Sequence, residues 1–192
     1  MMFAQEAVNF CKSLDIETIL DVGCGDGSHS EAFKQLGKSV TSVDISGLYP
    51  PAIQKDFILF DQDQKFDLIW LSHVLEHQPN PNFFLKKCRQ HTYLDKYICV
   101  TVPPLKHEIV GGHVTLWNAG LVMYNLVLAG YNCRKAHIKQ YDYNISVIAK
   151  ADNFILPELT YDWGDIERIA EWLPPGYNYQ GFNGNIQEHN WK

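Results

Sequence analysis

Asp21, Gly23, Gly25 and Gly27, spaced as D-x-G-x-G-x-G, are the residues of this chain best equipped to hold a ligand, together with Asp44 downstream. The glycines lie in the run ILDVGCGDGSHS, residues 19–30, where an apolar strand gives way to a turn and then to a helix-like stretch. Such a turn lets bare backbone N–H groups and a helix N-terminus come close to a ligand. A second apolar run, Thr41-Ser42-Val43, stops at Asp44, and a carboxylate at the tip of a neighbouring strand suits ribose hydroxyls. A nucleoside-type cofactor is the expected ligand.

The spacing then separates two kinds of cofactor. A dinucleotide fingerprint needs G-x-G-x-x-G, and its third glycine would fall here on Ser28 or Ser30. Asp21, just before the turn, would repel a pyrophosphate and attract the amine of an amino-acid moiety. A nucleoside joined to an amino acid and carrying a positive sulfonium is S-adenosylmethionine. A nicotinamide cofactor is the rival that the glycine count disfavours.

Methyl transfer from a sulfonium is an in-line displacement in which the cofactor brings its own leaving group. The protein aligns donor and acceptor and, for a hydroxyl acceptor, removes a proton. Histidine suits that task near neutral pH. His107 and His113, in the run Val102-Pro-Pro-Leu-Lys-His-Glu-Ile-Val-Gly-Gly-His, follow a predicted strand and are the candidate bases. His73, Glu76 and His77 could be read as metal ligands, as could His107, Glu108 and His113 with His77, but no metal is expected.

The elements that must position these residues follow from periodicity. Phe3, Ala7, Phe10, Cys11 and Leu14 share a helical face, which predicts an amphipathic helix within 1–14. Strands are expected near 18–22, 39–43, 56–60, 66–72, 96–102, 132–137 and 143–150, with helices near 28–36, 81–90 and 118–129. Asn80 and Pro81 read as N-cap and first helical residue, and Gly130 as a helix stop. Alternation of strand and helix predicts an α/β, Rossmann-like, doubly wound and mostly parallel sheet. The short link between the last two strands allows only a hairpin, so the final strand is expected to be antiparallel. The interval from Asp44 to Asp67 is short and holds Pro50-Pro51, which predicts a stunted crossover.

Residues 1–150 are thus expected to form the cofactor-binding domain. Residues 151–192 are an aromatic-rich C-terminal extension, with Tyr161, Trp163, Trp172, Tyr177, Tyr179, Phe182 and Trp191. Their rings suit either an acceptor wall or packing on the sheet or against a second copy in a homodimer.

Composition narrows the partners. The chain has 192 residues, 46% hydrophobic and 20% charged, with a net charge of −6. That describes one folded domain. No basic stripe follows a phosphate backbone, which argues against nucleic acid. No stretch reaches the roughly 20 apolar residues of a membrane span. The five cysteines show no paired spacing, so free thiols in the cytoplasm are expected.

In combination, ILDVGCGDG, VDIS at 43–46 and FDLIWLSHVLEHQPNP at 66–81 resemble class I S-adenosylmethionine-dependent methyltransferases of the widespread methyltransferase-domain type. The resemblance covers about residues 16–150 and implies a seven-stranded sheet with the last strand antiparallel. It implies that Gly23, Gly25 and Gly27 wrap the methionine part of the cofactor, with Cys24 in the same turn. Asp21 would hold the amine directly or through water, Asp44 would take the ribose and Ile45 a face of adenine. Asp61 would accept from the adenine amino group beside Gln62, while Ser72 and His73 would close the methionine side. The implied activity is methylation of a small molecule or carbohydrate, with a sugar hydroxyl as first acceptor and S-adenosylhomocysteine as product. Methylation of a protein or aromatic acceptor is an alternative, and a non-catalytic assembly protein that binds the cofactor is a rival of another class.

Overall fold

Strands buried on both faces build this molecule. In β1 (Thr18–Val22) and β4 (Phe66–Ser72), side chains on both sides of the pleat are largely excluded from solvent, as expected of parallel strands covered by helices on each side. The structure is a computed structural model that describes residues 3–192. Around β1 and β4 lie β2 (Ser39–Asp44), β3 (Ile53–Gln54), β5 (Thr92–Val102), β6 (Tyr131–Tyr141), β7 (Asn144–Ala151) and β8 (Glu188–His189). They form one sheet in the order β3-β2-β1-β4-β5-β7-β6-β8.

The first five strands are parallel, and β7 inserts antiparallel between β5 and β6. A two-residue turn at Asp142-Tyr143 joins β6 to β7, so the hairpin could close in no other sense. The mostly parallel, Rossmann-like sheet read from the sequence is what forms, with eight strands in place of seven. The eighth, β8, pairs Glu188 and His189 antiparallel with Lys139 and Ile138 of β6. No hydrophobic run announced so short an edge strand.

The expected third strand at 56–60 is also corrected. The Asp56 carboxylate accepts the Ile58 N–H at 2.9 Å, which bends the chain into a 3-10 turn at Phe57–Leu59. The strand pairing moves upstream, where Ile53 and Gln54 lie beside Val43 and Asp44. The crossover between β2 and β4 therefore carries no α-helix, as its length and prolines predicted.

Helices α3 (Pro81–Gln90) and α4 (Ala119–Leu128) cover one face, meeting Leu20, Val22, Ile69, Leu71 and Val100. Both start on an asparagine: Asn80 accepts the Phe83 N–H, and Asn118 accepts the Leu121 N–H at 2.8 Å. On the other face, α1 (Gln5–Cys11) and α2 (Ser28–Gln35) meet Ile19, Leu68, Trp70 and Cys99. The predicted N-terminal helix is thus shorter than 1–14, with Ala7, Phe10 and Cys11 buried and Phe3 exposed. The carboxyl ends of β1, β2, β4 and β5 all point to one edge, where the glycine turn, Asp44, residues 73–78 and the loop 103–117 emerge. That is where an open parallel sheet binds ligands.

Candidate functional site

At this edge the structure opens a cavity of about 520 Å³, a size suited to a nucleoside-bearing cofactor. Val22, Gly23, Gly25, Asp44 and Ile45 form one wall; Lys55, Asp56, Phe57 and Phe84 form a second; and His73, Val74, His77 and Gln78 form the third. A larger cavity of about 760 Å³ is lined by Asp95, Tyr97, Asn132 and Lys150. It sits at the opposite end of the strands from the glycine turn and brings together none of the residues singled out above.

The glycines of the turn serve unlike purposes. At Gly27 (φ 80°) a methyl group would run into the Tyr49 ring, whereas at Gly25 (φ 55°), which lines the cavity, it would stand in open space with nothing within 4 Å. Gly25 is therefore where the backbone lies bare toward a ligand. Its N–H donates to Asp44 Oδ2 at 2.8 Å, and the Ser46 N–H donates to Asp44 Oδ1 at 2.6 Å. Burial alone would raise the Asp44 carboxyl, but the bonds from Ser46 and Gly25 hold it below the usual carboxylate range. A carboxylate offers about four acceptor positions, so two remain for hydroxyls. Ile45, beside it on the rim, is 71% exposed.

Asp21 does not line the cavity. It is buried beneath the turn, where Ser30 donates its hydroxyl proton to Asp21 Oδ2 and is itself hydrogen-bonded to Ser42. Burial pushes its carboxyl up to about 7, the Ser30 bond opposes this, and the charge of Asp44 adds to it. Cys24 is likewise buried, and burial with the nearby Asp21 and Asp44 charges pushes its thiol up to about 12. It has no nucleophilic character at neutral pH.

Asp61 and Gln62, expected at the adenine, are both exposed and neither lines the cavity. Asp61 pairs with Lys55 at 3.0 Å, and that ammonium lowers its carboxyl. Because β3 forms upstream of the expected strand, Asp56 and Phe57 reach the cavity in their place. The cue in the sequence was an acid placed to accept the N–H two residues on.

Ser72, expected at the methionine side, does not line the cavity; it is half-buried just before the third wall and its hydroxyl has no hydrogen-bond partner. His73 faces the cavity with φ 55°, a strained backbone for a residue with a side chain. Its Nδ1 donates to Glu76 Oε1 at 3.1 Å, and its Nε2 lies 3.0 Å from Asn144 Oδ1. Burial disfavours the imidazolium, but the bonds to Glu76 and Asn144 outweigh it and raise the His73 pKa. Glu76, which the sequence offered only as a candidate metal ligand, is fully buried.

The two candidate bases part company. His113 packs edge-on against His77, ring centres 5.0 Å apart. The Val114 and Thr115 N–H groups donate to the Glu76 carbonyl, pinning this part of the loop to the cavity wall. His107 is exposed on the same loop, and neither it nor His113 is among the lining residues.

The profile of the methyltransferase-domain family matches residues 4–125. A ubiquinone biosynthesis O-methyltransferase of Pasteurella multocida is 32% identical over 195 aligned positions, covering 88% of this chain and 72% of the relative. A relative of the same name from Glaesserella parasuis is 31% identical over 91 positions, covering 37% of this chain and 39% of its own length. In several such alignments the match spans only 38–39% of the relative. Among solved structures, an S-adenosylmethionine-dependent methyltransferase from Archaeoglobus fulgidus superposes with a TM-score of 0.64 at 18% identity, covering 76% of this chain and 90% of that one. The 1,6-didemethyltoxoflavin-N1-methyltransferase of Burkholderia thailandensis, solved with S-adenosylhomocysteine, gives 0.67 at 15% identity, covering 78% of each chain.

Proposed function

The chain belongs to the methyltransferase-domain family, and from that premise we propose that it moves the methyl group of S-adenosylmethionine onto a hydroxyl of a small molecule. The observation that carries the reading is Gly25: a bare backbone position opening on the cavity, its N–H held by the Asp44 carboxylate. Gly23 and Gly25 receive the methionine portion, Asp44 takes the ribose hydroxyls with its remaining lone pairs, and Ile45 lies against adenine. Asp56 and Phe57 take the adenine edge, the part first given to Asp61 and Gln62. Asp21 acts from below, as a buried carboxyl near the amino-acid end, and His73 closes that end.

The acceptor approaches from the side of His77 and His113. Its oxygen attacks the methyl carbon as the carbon–sulfur bond breaks. The sulfonium becomes the thioether of S-adenosylhomocysteine, and the hydroxyl proton leaves to the histidine-lined wall. His113 takes that part through its contact with the wall residue His77, and His107 does not. Leu105, Ile109, Val114 and Leu116 leave an apolar surface on the acceptor loop, which supports a flat aromatic alcohol over a sugar. The O-methyltransferase names of the relatives point the same way.

Calorimetric titration with S-adenosylhomocysteine and with NAD tests the cofactor. Saturable binding of the first alone is expected, and the reverse preference overturns the reading. Transfer of labelled methyl to catechols and to sugars then separates the two acceptors. Tight cofactor binding without transfer to any hydroxyl would return the chain to a non-catalytic assembly role.

A further inference from the structure

Glu76 presents an unfinished electrostatic arrangement. Its side chain is wholly buried; Oε1 receives the His73 Nδ1–H at 3.1 Å, while Oε2 has no hydrogen-bond partner. A buried carboxylate oxygen left without a partner costs on the order of 1–3 kcal/mol. Two further imidazoles lie near the same carboxylate. His77 Nε2 is 4.0 Å from Glu76 Oε1, and one nitrogen of His113 joins the same cluster, the three donor atoms lying within 4.8 Å of one another.

The tautomer of His77 is set by its surroundings. Its Nδ1 lies 2.7 Å from the Gly112 carbonyl oxygen, which can only accept. Nδ1 therefore carries a proton, and Nε2 is the nitrogen left facing Glu76. In the neutral imidazole that nitrogen offers a lone pair, which beside a carboxylate calls for a proton or a metal ion between them. An imidazole whose far nitrogen donates to a carbonyl is also the usual support of a metal-binding histidine.

We propose that Glu76, His77 and His113 bind a divalent transition-metal ion of the zinc type. Two imidazoles and one carboxylate suit zinc or cobalt and do not suit magnesium, which favours oxygen donors. Donors about 2.0–2.1 Å from a tetrahedral ion are some 3.4 Å apart, so a cluster spanning up to 4.8 Å has to contract by up to about 1.4 Å. His77 and His113 can supply this, since neither is fully buried. Three protein ligands leave the fourth position open beside the cavity that His77 lines. There the ion would bind the acceptor oxygen and lower its pKa, a role that rests on the methyl-transfer reading although the binding itself does not. The ion would also tie the acceptor loop, through His113, to the turn after β4.

The test uses the full chain stripped of metal with a chelator and titrated calorimetrically with zinc chloride, with cobalt(II) absorption as a second readout. Binding of one equivalent is expected, with the intense visible bands of a tetrahedral cobalt site. His113→Ala is expected to weaken zinc by more than about tenfold without changing the melting temperature of the metal-free protein, and His107→Ala to leave affinity unaltered. Glu76→Gln should abolish the cobalt bands. Absence of binding at millimolar metal, or equal affinity in His113→Ala, overturns the proposal. S-adenosylhomocysteine titrated into the same samples keeps the two readings apart: lost zinc binding with intact cofactor binding sinks only this one.

Discussion

Asp21→Asn should make the protein more stable, and by an amount that depends on pH. The folded state holds this carboxyl at about 7 against an ordinary 3.8, chiefly through burial. Between those values the folded chain keeps a proton that the unfolded chain has released, so stability falls as pH rises through the window. Each unit is worth 1.36 kcal/mol, and the full interval comes to about 4 kcal/mol above pH 7. Below pH 4 both states are protonated and the cost vanishes. Asparagine carries no charge and can still accept from Ser30. Its extra N–H adds a pH-independent offset of about 1 kcal/mol. Urea denaturation of both proteins from pH 4 to 8 should give a difference that climbs steadily to about pH 7 and then levels off. Parallel curves would refute the assignment of a neutral Asp21. The same experiment bears on the cofactor: a bound cation near Asp21 expels its proton, so affinity for S-adenosylmethionine should rise with pH near 7 in the wild type and stay flat in the variant.

Gly25→Ala should cost about 1–2 kcal/mol of stability for its left-handed backbone and at least about tenfold in S-adenosylhomocysteine affinity, because the added methyl takes up space at a position that lines the cavity. Gly27→Ala should be worse for folding, since its methyl meets the Tyr49 ring; thermal melts with and without ligand separate the two. Asp44→Ala should weaken the cofactor by roughly tenfold to a hundredfold, the value of charged hydrogen bonds of about 1.5–3 kcal/mol, as read by calorimetry. Asp61→Ala should leave that affinity within about twofold, a surface ion pair being worth about 0–1 kcal/mol; a larger loss would restore Asp61 to the adenine site. Trp172→Ala removes a ring stacked on Phe154 at 4.5 Å and should cost about 2 kcal/mol with cofactor affinity unchanged.

The central part of the sheet was legible because long apolar strands and capped helices carry strong periodic signals. Asn80 and Asn118 both cap as their residue types require, and the glycine turn falls where its spacing put it. What was hidden depended on contacts between distant segments. The two-residue β3 exists only because Val43 and Asp44 are there to pair with it, and the 3-10 turn after it rests on one side-chain bond from Asp56. Both features move the wall of the cavity, so that Asp56 and Phe57 line it and Asp61 and Gln62, which the resemblance implied, do not. The burial of Asp21 was hidden for a related reason. Its position in β1 was plain, but alternation along the strand points it toward Ser30 and Ser42, and only the packing of α2 reveals that partner.

The place of the aromatic C-terminal segment bears on where acceptor choice resides. Among the described residues, none in 151–192 lines the 520 Å³ cavity. Ile169, Leu173 and Ile186 are buried with α4 and the sheet, while Trp191 crosses to the other face and packs at a tilt against Phe10, ring centres 4.6 Å apart. Between them β8 pairs with β6, covering an edge that would otherwise expose unpaired backbone groups. A segment anchored on both faces and hydrogen-bonded to the edge strand cannot lift from an active site without opening the core. On the proposed function, selection of the acceptor would fall to the segments beside the cavity: the loop 103–117, the turn at 73–78 that it docks on, and the β6–β7 turn. There Tyr143 lies beside His73, ring centres 6.3 Å apart, and under the Lys106 ammonium at 4.4 Å. An aromatic face topped by a cation and flanked by a histidine favours a flat, electron-rich acceptor, which is the class the apolar loop residues independently support.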